Sequence, residues 1–367
     1  MLSITKLALF CANLLLLLTS VYADAVSDLW DKGKPALDAQ LAKSTTCTKD
    51  KLLVRREWGD LSAADRKAYI KAVLCVTNSP SKLDHTKYPG AKTRYDDFVA
   101  VHINQTMSIH STGNFLSWHR YFTWAYEQVL RNECGYNGTQ PYWDWGRWAS
   151  DPEKSPIFDG SDTSMSGNGE KTTHTSFMAP VGNGGGCIVS GPFKNMTANL
   201  GPIAPAISPA PPTNPRSDGF GYNPRCLRRD ISNQLSSRYT RTQDIVNLIS
   251  NSQNIASFQN TMQAPGTGVH TGGHFTIAGD PGGDFYTSPG DPAFYLHHAM
   301  IDRTWTIWQA QNLQSRMQVI SGGRSMMGGG AAATLSDVVN LYAIANKTWK
   351  ISELVSITDG PFCYTYA

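Results

Sequence analysis

Residues 101–122 read VHINQTMSIHSTGNFLSWHRYF, residues 269–275 read VHTGGHF, and residues 291–305 read DPAFYLHHAMIDRTW. Seven of the chain's nine histidines lie in these stretches, and six of the seven form two sets of three, which are His102, His110 and His119, and His270, His274 and His298. Neutral imidazole is a good ligand for copper, zinc, iron and nickel. The sequence therefore predicts a paired metal site with nitrogen ligands, most simply two copper ions that share one oxygen molecule.

Composition is typical of a globular protein with a substantial core. The chain has 367 residues, of which 41% are hydrophobic and 17% charged. This length and balance favour one large catalytic domain, which we expect to span residues 24–367. The net charge of +3 comes without a basic stripe, which excludes nucleic acid as a partner and favours small neutral or weakly charged substrates.

The N-terminus has the pattern of a secretory signal. Lys6 precedes an apolar run, and the small residues Val21 and Ala23 suit signal peptidase. We interpret residues 1–23 as a signal peptide cleaved after Ala23. A membrane anchor is the alternative, but the apolar core is short for a span and no later segment resembles a transmembrane helix. A secreted protein with no membrane association after cleavage is the expected product.

The cysteines agree with export. Removal of Cys11 with the signal leaves an even set of six, without a CxxC pair. Three disulfides are expected, and the reach from Cys47 to Cys363 suggests a clasp between the two termini. Six cysteines allow about 15 pairings, so the connectivity stays open. Four N-x-T sequons predict N-glycans at Asn104, Asn137, Asn195 and Asn346.

Hydrophobic periodicity indicates a mainly α protein. Four segments read as helices, at residues 62–77, 117–133, 240–258 and 297–311. Long stretches between them are rich in Gly, Ser, Thr or Pro and form neither regular helix nor strand, above all 150–190 and 201–224. The expected fold is a four-helix bundle that encloses a binuclear site, with long irregular loops and few short strands.

The spacing of the first two histidines in the second set indicates that they bind the same metal ion. His270 and His274 are four residues apart, so on a helix both imidazoles project from one face and can bind one ion. A zinc-protease site is excluded because Thr271, Gly272 and Gly273 stand between them, with no glutamate to act as base.

Two longer motifs resemble the copper signatures of the tyrosinase family. HSTGNFLSWHRYFTWAYE, residues 110–127, resembles the first signature, and DPAFYLHHAMID, residues 291–302, resembles the second. YTY at residues 364–366 is similar to the tyrosine motif that closes the catalytic domain in fungal and plant members. The chain stops there, so the C-terminal shielding domain of many relatives is not expected.

The resemblance implies a type 3 copper centre with two copper ions. Its expected ligands are His102, His110 and His119 on one ion, and His270, His274 and His298 on the other. An o-diphenol would be oxidised to an o-quinone while dioxygen is reduced to water. His297 is assigned to a place behind the ligands, with an exchange of roles between His297 and His298 as the alternative. Arg120 and Asp302 are expected to orient ligands or to form a buried ion pair, and His85 and His174 to lie on the surface.

Departures from the family pattern bear on substrate choice. Ser108 replaces the cysteine that forms a thioether in plant and many fungal relatives. Thr271 follows His270 where members that hydroxylate monophenols often have asparagine, and threonine is the poorer partner for a water that acts as base. Gln263 is the nearest candidate to hold such a water. Phe285 falls where relatives place a residue over the second copper, with plain loop packing as the alternative.

The sequence thus predicts a secreted copper oxidase of o-diphenols and o-aminophenols. A true tyrosinase with monophenol hydroxylase activity is the first alternative. A haemocyanin-like oxygen carrier, which uses the same six ligands, is the second alternative from a different class.

Overall fold

The structure is a computed structural model that describes residues 25–177, 180–327 and 330–367. The predicted signal peptide, residues 1–23, lies outside the described residues. Among the helices described, none is both long and apolar enough to cross a membrane.

The described chain is mostly helical, as predicted. The α-helices in chain order are α1 (Ala25–Leu41), α2 (Ala63–Asn78), α3 (Arg94–Ile109), α4 (Phe115–Cys134), α5 (Asn233–Tyr239), α6 (Thr242–Asn251), α7 (Ile255–Met262), α8 (Val269–Ile277), α9 (Ala293–Ala310), α10 (Leu313–Arg316) and α11 (Ile351–Leu354). Single turns of 3₁₀-helix occur at Trp58–Asp60, Gly146–Trp148, Pro152–Lys154, Ser288–Gly290 and Tyr342–Ile344.

Four helices surround the histidine clusters. Helix α3 packs on α4, α4 packs on α9, and α9 packs on α8. Every residue of α9 is buried, which places this helix at the centre of the core. Gly135 caps the C-terminal end of α4, and its positive φ of 66° is a conformation that glycine adopts without a steric penalty. The bundle around the site is confirmed, although its membership differs from the four helices predicted.

Three of the predicted helices match the structure with shifted starts or ends, and one is broken. The segment at 240–258 divides into α6 and α7, because Asn254 accepts a hydrogen bond from the Ser257 backbone N–H and begins a new helix there. Helix α3 was not predicted. Its residues 94–103 are all buried, so the sequence shows no contrast between a polar and an apolar face.

The strands are short and lie in pairs along the loops. In chain order they are β1 (Leu53–Arg55), β2 (Gly169–Lys171), β3 (Thr175–Ser176), β4 (Gly185–Ile188), β5 (Thr197–Ala198), β6 (Ile207–Ser208), β7 (Arg225–Cys226), β8 (Val338–Val339), β9 (Trp349–Lys350) and β10 (Tyr364–Tyr366). The pairs β2–β4, β3–β6, β5–β7 and β8–β9 are antiparallel, whereas β1–β10 is parallel. Long loops with few short strands were predicted.

Three disulfides join distant parts of the chain. Cys47 pairs with Cys363, which confirms the predicted clasp between the termini. The other pairs are Cys75 with Cys134 and Cys187 with Cys226. Beside the clasp, β1 and β10 run parallel with Leu53 opposite Tyr364. The two ends of the domain are therefore held together by both a covalent bond and a strand pair.

A buried charge cluster connects the clasp to the copper-motif helices. Asp302 on α9 accepts hydrogen bonds from Arg120 Nε at 2.5 Å, Tyr364 Oη at 2.6 Å and Tyr366 Oη at 2.5 Å, and Arg55 Nη1 lies 3.3 Å away. Burial pushes the pKa of Asp302 up, but the arginines and the tyrosine hydroxyls outweigh it and hold this pKa below its usual value. The predicted Arg120–Asp302 ion pair is therefore present.

Candidate metal centre

The first histidine cluster is built on two helices. His102 lies inside α3, His110 follows the last residue of α3, and His119 lies near the start of α4. One ring nitrogen from each of the three lies within 4.8 Å of the others. This separation suits three imidazoles that converge on one ion.

The second cluster is built on α8 and α9. His270 and His274 lie one turn apart on α8, with ring centroids 4.7 Å apart, as the four-residue spacing predicted. The imidazole of His298 on α9 brings its Nε2 to 3.2 Å from His274 Nε2. His297 also belongs to this group of converging side chains.

The two clusters face each other. The rings of His119 and His298 stack with centroids 4.6 Å apart and an interplanar angle of 15°. The ring centroids of His110 and His270 lie 6.2 Å apart. The six predicted ligands therefore form one paired site rather than two separate ones.

Backbone carbonyls fix the tautomer of the first cluster. The Nδ1 atoms of His102, His110 and His119 lie 2.8, 2.9 and 2.8 Å from the carbonyl oxygens of Tyr286, Thr106 and Phe115, respectively. A carbonyl only accepts, so each Nδ1 carries the proton and each Nε2 presents a lone pair. This leaves the Nε2 atoms of His102 and His119 buried without a hydrogen-bond partner among the described residues, as a metal ligand requires.

Burial keeps these imidazoles neutral. It lowers the pKa of His110 to about 4 and that of His274 to about 3. The pKa values of His102, His119, His270 and His298 fall well below the usual value, mainly through burial and then through the neighbouring imidazoles. Neutral imidazole is the form that binds metal.

The adjacent pair His297 and His298 divides between two surroundings. His298 stacks on Phe294 at 4.0 Å and faces the first cluster through His119. His297 packs against Trp145 and against Gly273 of α8, where an added Cβ would lie 2.2 Å from His297 Cε1. Both rings also approach His274, with centroids 4.5 Å away for His297 and 5.2 Å away for His298, so the two histidines differ in their other neighbours.

A cavity of about 520 Å³ opens onto the paired site. His110, His270 and His274 line it, together with Thr271, Gln263 and Phe285. The three side chains that the sequence singled out for gating or water binding thus border the same space as the histidines.

Phe285 differs from its predicted place. Its ring centroid lies 4.5 Å from that of His110, in the first cluster, rather than over the second. The reason is local, because the carbonyl of the next residue, Tyr286, accepts the His102 Nδ1 proton and holds this segment against the first cluster. Gln263 also has an unexpected contact, since its Oε1 accepts the backbone N–H of Ser111 at 2.8 Å.

The remaining histidines lie outside the site. His85 is exposed, as predicted. The surface interpretation of His174 is wrong, because its side chain is nearly buried, with Nε2 2.8 Å from Asp230 Oδ2 and Nδ1 2.9 Å from the Thr172 carbonyl. Two cavity residues, Phe177 and Met326, were missed, and no sequence motif marks them.

Comparison with known proteins settles the family. Residues 92–311 match the family model described as the common central domain of tyrosinase. The chain belongs to the tyrosinase family. Tyrosinase P of Aspergillus terreus is 40% identical over 333 residues, covering 85% of this chain and 91% of that protein. N-acetyl-6-hydroxytryptophan oxidase ivoB of Emericella nidulans is 36% identical over 366 residues, covering 90% and 96%.

A solved structure agrees with this membership. A mutant of polyphenol oxidase from Thermothelomyces thermophila superposes with a TM-score of 0.87 at 40% identity, covering 93% of this chain and 97% of that one. The tyrosinase family is built on a type 3 binuclear copper centre, and this chain is a copper-dependent oxidase by family. The buried, proton-free Nε2 atoms of His102 and His119 fit such a centre.

Proposed function

We propose that this chain is a secreted type 3 copper oxidase that converts o-diphenols, and o-aminophenols, to o-quinones and o-quinone imines while dioxygen is reduced to water. His102, His110 and His119 would hold one copper ion, and His270, His274 and His298 the other. The observation that carries the proposal is the face-to-face approach of the two clusters through the stacked His119 and His298 rings. The catalytic domain would be residues 24–367, after removal of 1–23.

A pair of copper ions held by these histidines would supply two adjacent one-electron centres, able to accept together the two electrons of each o-diphenol. The protein's own residues prepare this site. The carbonyls of Tyr286, Thr106 and Phe115 hold three imidazoles with Nε2 toward the metal. The cavity admits the substrate ring beside His110 and His270, and Phe285 covers one side of it. Two o-diphenols lose four electrons and four protons in all, which reduces one dioxygen to two waters.

Monophenol hydroxylation is disfavoured by the side chains around the cavity. A monophenol needs a base to take its proton, and Thr271 holds a water less well than asparagine would. The carboxylate of Asp284 lines the cavity, but each of its oxygens already accepts two backbone N–H groups. Gln263 uses its Oε1 on Ser111. The described lining thus offers no unengaged base.

Relatives support oxidation of hydroxylated aromatic rings in general. The name of the Emericella nidulans relative states an oxidase of N-acetyl-6-hydroxytryptophan, a hydroxylated bicyclic ring. The name tyrosinase P favours the second candidate, an enzyme that also hydroxylates monophenols. The choice between them rests on the base that Thr271 and Gln263 can or cannot provide.

We also propose that this chain is exported and N-glycosylated. Three disulfides are typical of proteins that fold in an oxidising compartment. The four sequon asparagines, Asn104, Asn137, Asn195 and Asn346, are all exposed, as acceptors of N-glycans need to be.

The test is oxygen consumption by copper-loaded mature protein with catechol, o-aminophenol and tyramine. We expect rapid turnover of the first two and none of tyramine. His298→Ala should abolish turnover, and His85→Ala, at an exposed histidine outside the site, should not. Hydroxylation of tyramine without a catechol primer would establish the tyrosinase alternative. If the copper-bound protein consumes no oxygen with any of the three substrates, the result would contradict an oxidase and favour an oxygen carrier.

A further inference from the structure

Two exposed apolar side chains border the cavity that reaches the histidines. The side chain of Phe177 is 86% exposed and that of Met326 is 41% exposed, yet both line the same space as His110 and His270. A single exposed phenylalanine is common on a protein surface, but this ring offers apolar area that a bound molecule would remove from water. Its position at a binding cavity makes the ligand the natural cover.

Both residues have fixed backbones. The Phe177 N–H donates to the Ala206 carbonyl at 2.9 Å, directly after the β3–β6 pair. The Met326 N–H donates to the Met107 carbonyl at 2.8 Å, near the end of α3 that leads to His110. These bonds attach the two side chains to segments that also build the site, so their distance from the metal centre is set by the fold.

The cavity changes character from its inner to its outer end. His110 is 4% exposed and His270 is 7% exposed, so they mark the inner end, whereas Phe177 and Met326 mark the outer end. The walls are largely apolar, and include Ala204, Pro205, Ala206, Pro265, Phe275 and Phe285. A catechol ring whose hydroxyls reach the metal centre would therefore point its far side toward Phe177 and Met326.

Charge in the described lining argues against an ionised substituent. Neither lysine nor arginine occurs among the described residues that line the cavity. Asp284 is the carboxylate there, and backbone N–H groups already occupy both of its oxygens. A carboxylate or ammonium group on the substrate would lose hydration without gaining a partner, which is costly.

We propose that Phe177 and Met326 form a binding subsite for an uncharged, apolar substituent on the ring position opposite the hydroxyls. The preferred substrates are then 4-alkyl or 4-aryl o-diphenols rather than carboxylated ones. This inference rests on the proposed o-diphenol oxidase function and specifies its substrate class. Burial of the substituent against the two side chains supplies the selectivity, at roughly fourfold in affinity for each methylene removed from water.

The test compares 4-propylcatechol with 3-(3,4-dihydroxyphenyl)propanoate, whose side chains differ in the terminal methyl and carboxylate, and with unsubstituted catechol. For the wild-type protein we expect kcat/KM for 4-propylcatechol to exceed that for the propanoate by at least about tenfold. Phe177→Ala and, separately, Met326→Ala should each lower the ratio of kcat/KM for 4-propylcatechol to that for catechol by about threefold or more, mainly through KM. Phe177→Leu should restore most of the ratio.

Val189→Ala is the matched control, because Val189 is also exposed, at 56%, and does not line the cavity. It should leave the ratio unchanged. Equal kcat/KM for the propyl and propanoate compounds, or a wild-type ratio in both alanine variants, would overturn the subsite while catechol oxidation still stands. A wild-type protein that binds copper but does not oxidise catechol would instead overturn the proposed function, and the subsite with it.

Discussion

His297 and His298 are neighbours in sequence, and a helix turns about 100° from one residue to the next, so they face different surroundings. His298 faces His119 and the first cluster, whereas His297 packs against Gly273 and Trp145. The family motif made His298 the expected ligand, with an exchange of roles between the two as the alternative. These different neighbours support the proposed assignment of His298 as the ligand.

The pair gives a matched test of this assignment. His298→Ala should reduce bound copper from two ions toward one per chain and lower kcat by more than about 100-fold, because a ligand is lost. His297→Ala should retain both ions and lose activity by about tenfold, since only the support behind the ligands changes. Copper content by mass spectrometry with kcat on catechol measures both. Copper loss in His297→Ala, with retention in His298→Ala, would reverse the assignment.

Glu57 is a buried carboxyl outside the metal centre whose charge opposes folding. Burial raises its pKa to about 7, and Arg147, which lies 3.4 Å away, offsets this only in part. Because the pKa of Glu57 is raised in the folded state, the protonated carboxyl favours folding. This contribution to stability is fully present below the pKa of the unfolded chain and is lost as the pH rises through about 7. Stability should therefore fall mainly between about pH 4.5 and pH 7.

Glu57→Gln removes the charge and keeps the shape. We expect the variant to be more stable than the wild type at pH 8, by up to ~3 kcal/mol, and this advantage to shrink to ~1 kcal/mol or less at pH 5. Denaturant unfolding at the two pH values measures this, with pH 5 as the internal control. A variant that is destabilised at pH 8 would show that the ionised carboxylate stabilises the fold.

At the scale of elements, the approach of α8 to α9 depends on one glycine. A Cβ at Gly273 would lie 2.2 Å from His297 Cε1, too close for any real contact. Helix propensity favours alanine over glycine by about 1 kcal/mol, but the overlap forces His297 or α8 itself to move. The steric term is the larger one, because His297 is fully buried and has little room.

Gly273→Ala should therefore lower both stability and copper affinity. The expected cost is about 1–3 kcal/mol in the free energy of unfolding, together with weaker copper retention by the cluster that contains His270 and His274. Thermal unfolding with and without copper, followed by competition with a chelator, measures the two effects. Unchanged copper retention in a stably folded variant would show that α8 does not position these histidines through this contact.

The sequence predicted the helices that carry long motifs. It missed a helix whose residues show no contrast between a polar and an apolar face. The cores of α4 and α9 were predicted from apolar spacing and from the copper signatures. Helix α3, which holds His102, was missed because its buried first half lacks a polar face. Phe285 was placed over the wrong cluster, since spacing along a loop does not fix where the loop turns. His174 was assigned to the surface because its partner, Asp230, lies far away in sequence.

At the scale of the whole molecule, the two ends of the domain meet beside the site. The Cys47–Cys363 disulfide spans a separation of 316 residues, and the adjoining Tyr364 and Tyr366 bond to Asp302 on α9. The even cysteine count predicted three disulfides, and the reach from Cys47 to Cys363 suggested this clasp. The other two pairings stayed open, because they depend on the packing of α2 on α4 and on the folding of the proline-rich loop. The terminal segments thus support the helix that carries His298.

Removal of the clasp tests that support. Replacement of both Cys47 and Cys363 by serine should lower the free energy of unfolding by about 2–5 kcal/mol, because a long loop is released in the unfolded chain. Differential scanning calorimetry on the copper-free protein isolates this effect from metal binding. A melting temperature equal to that of the wild type would show that the strand pair β1–β10 and the Asp302 cluster hold the termini without the disulfide.

On this assignment the six histidines bind two copper ions, one in each cluster. Copper per chain, measured by mass spectrometry on the purified full-length mature protein and on the variants His102→Ala and His270→Ala, tests it most directly. We expect two ions in the wild type and about one in each variant, since each substitution removes a ligand from a different cluster. A wild type that holds a single ion, or variants that both retain two, would contradict a copper site in each cluster.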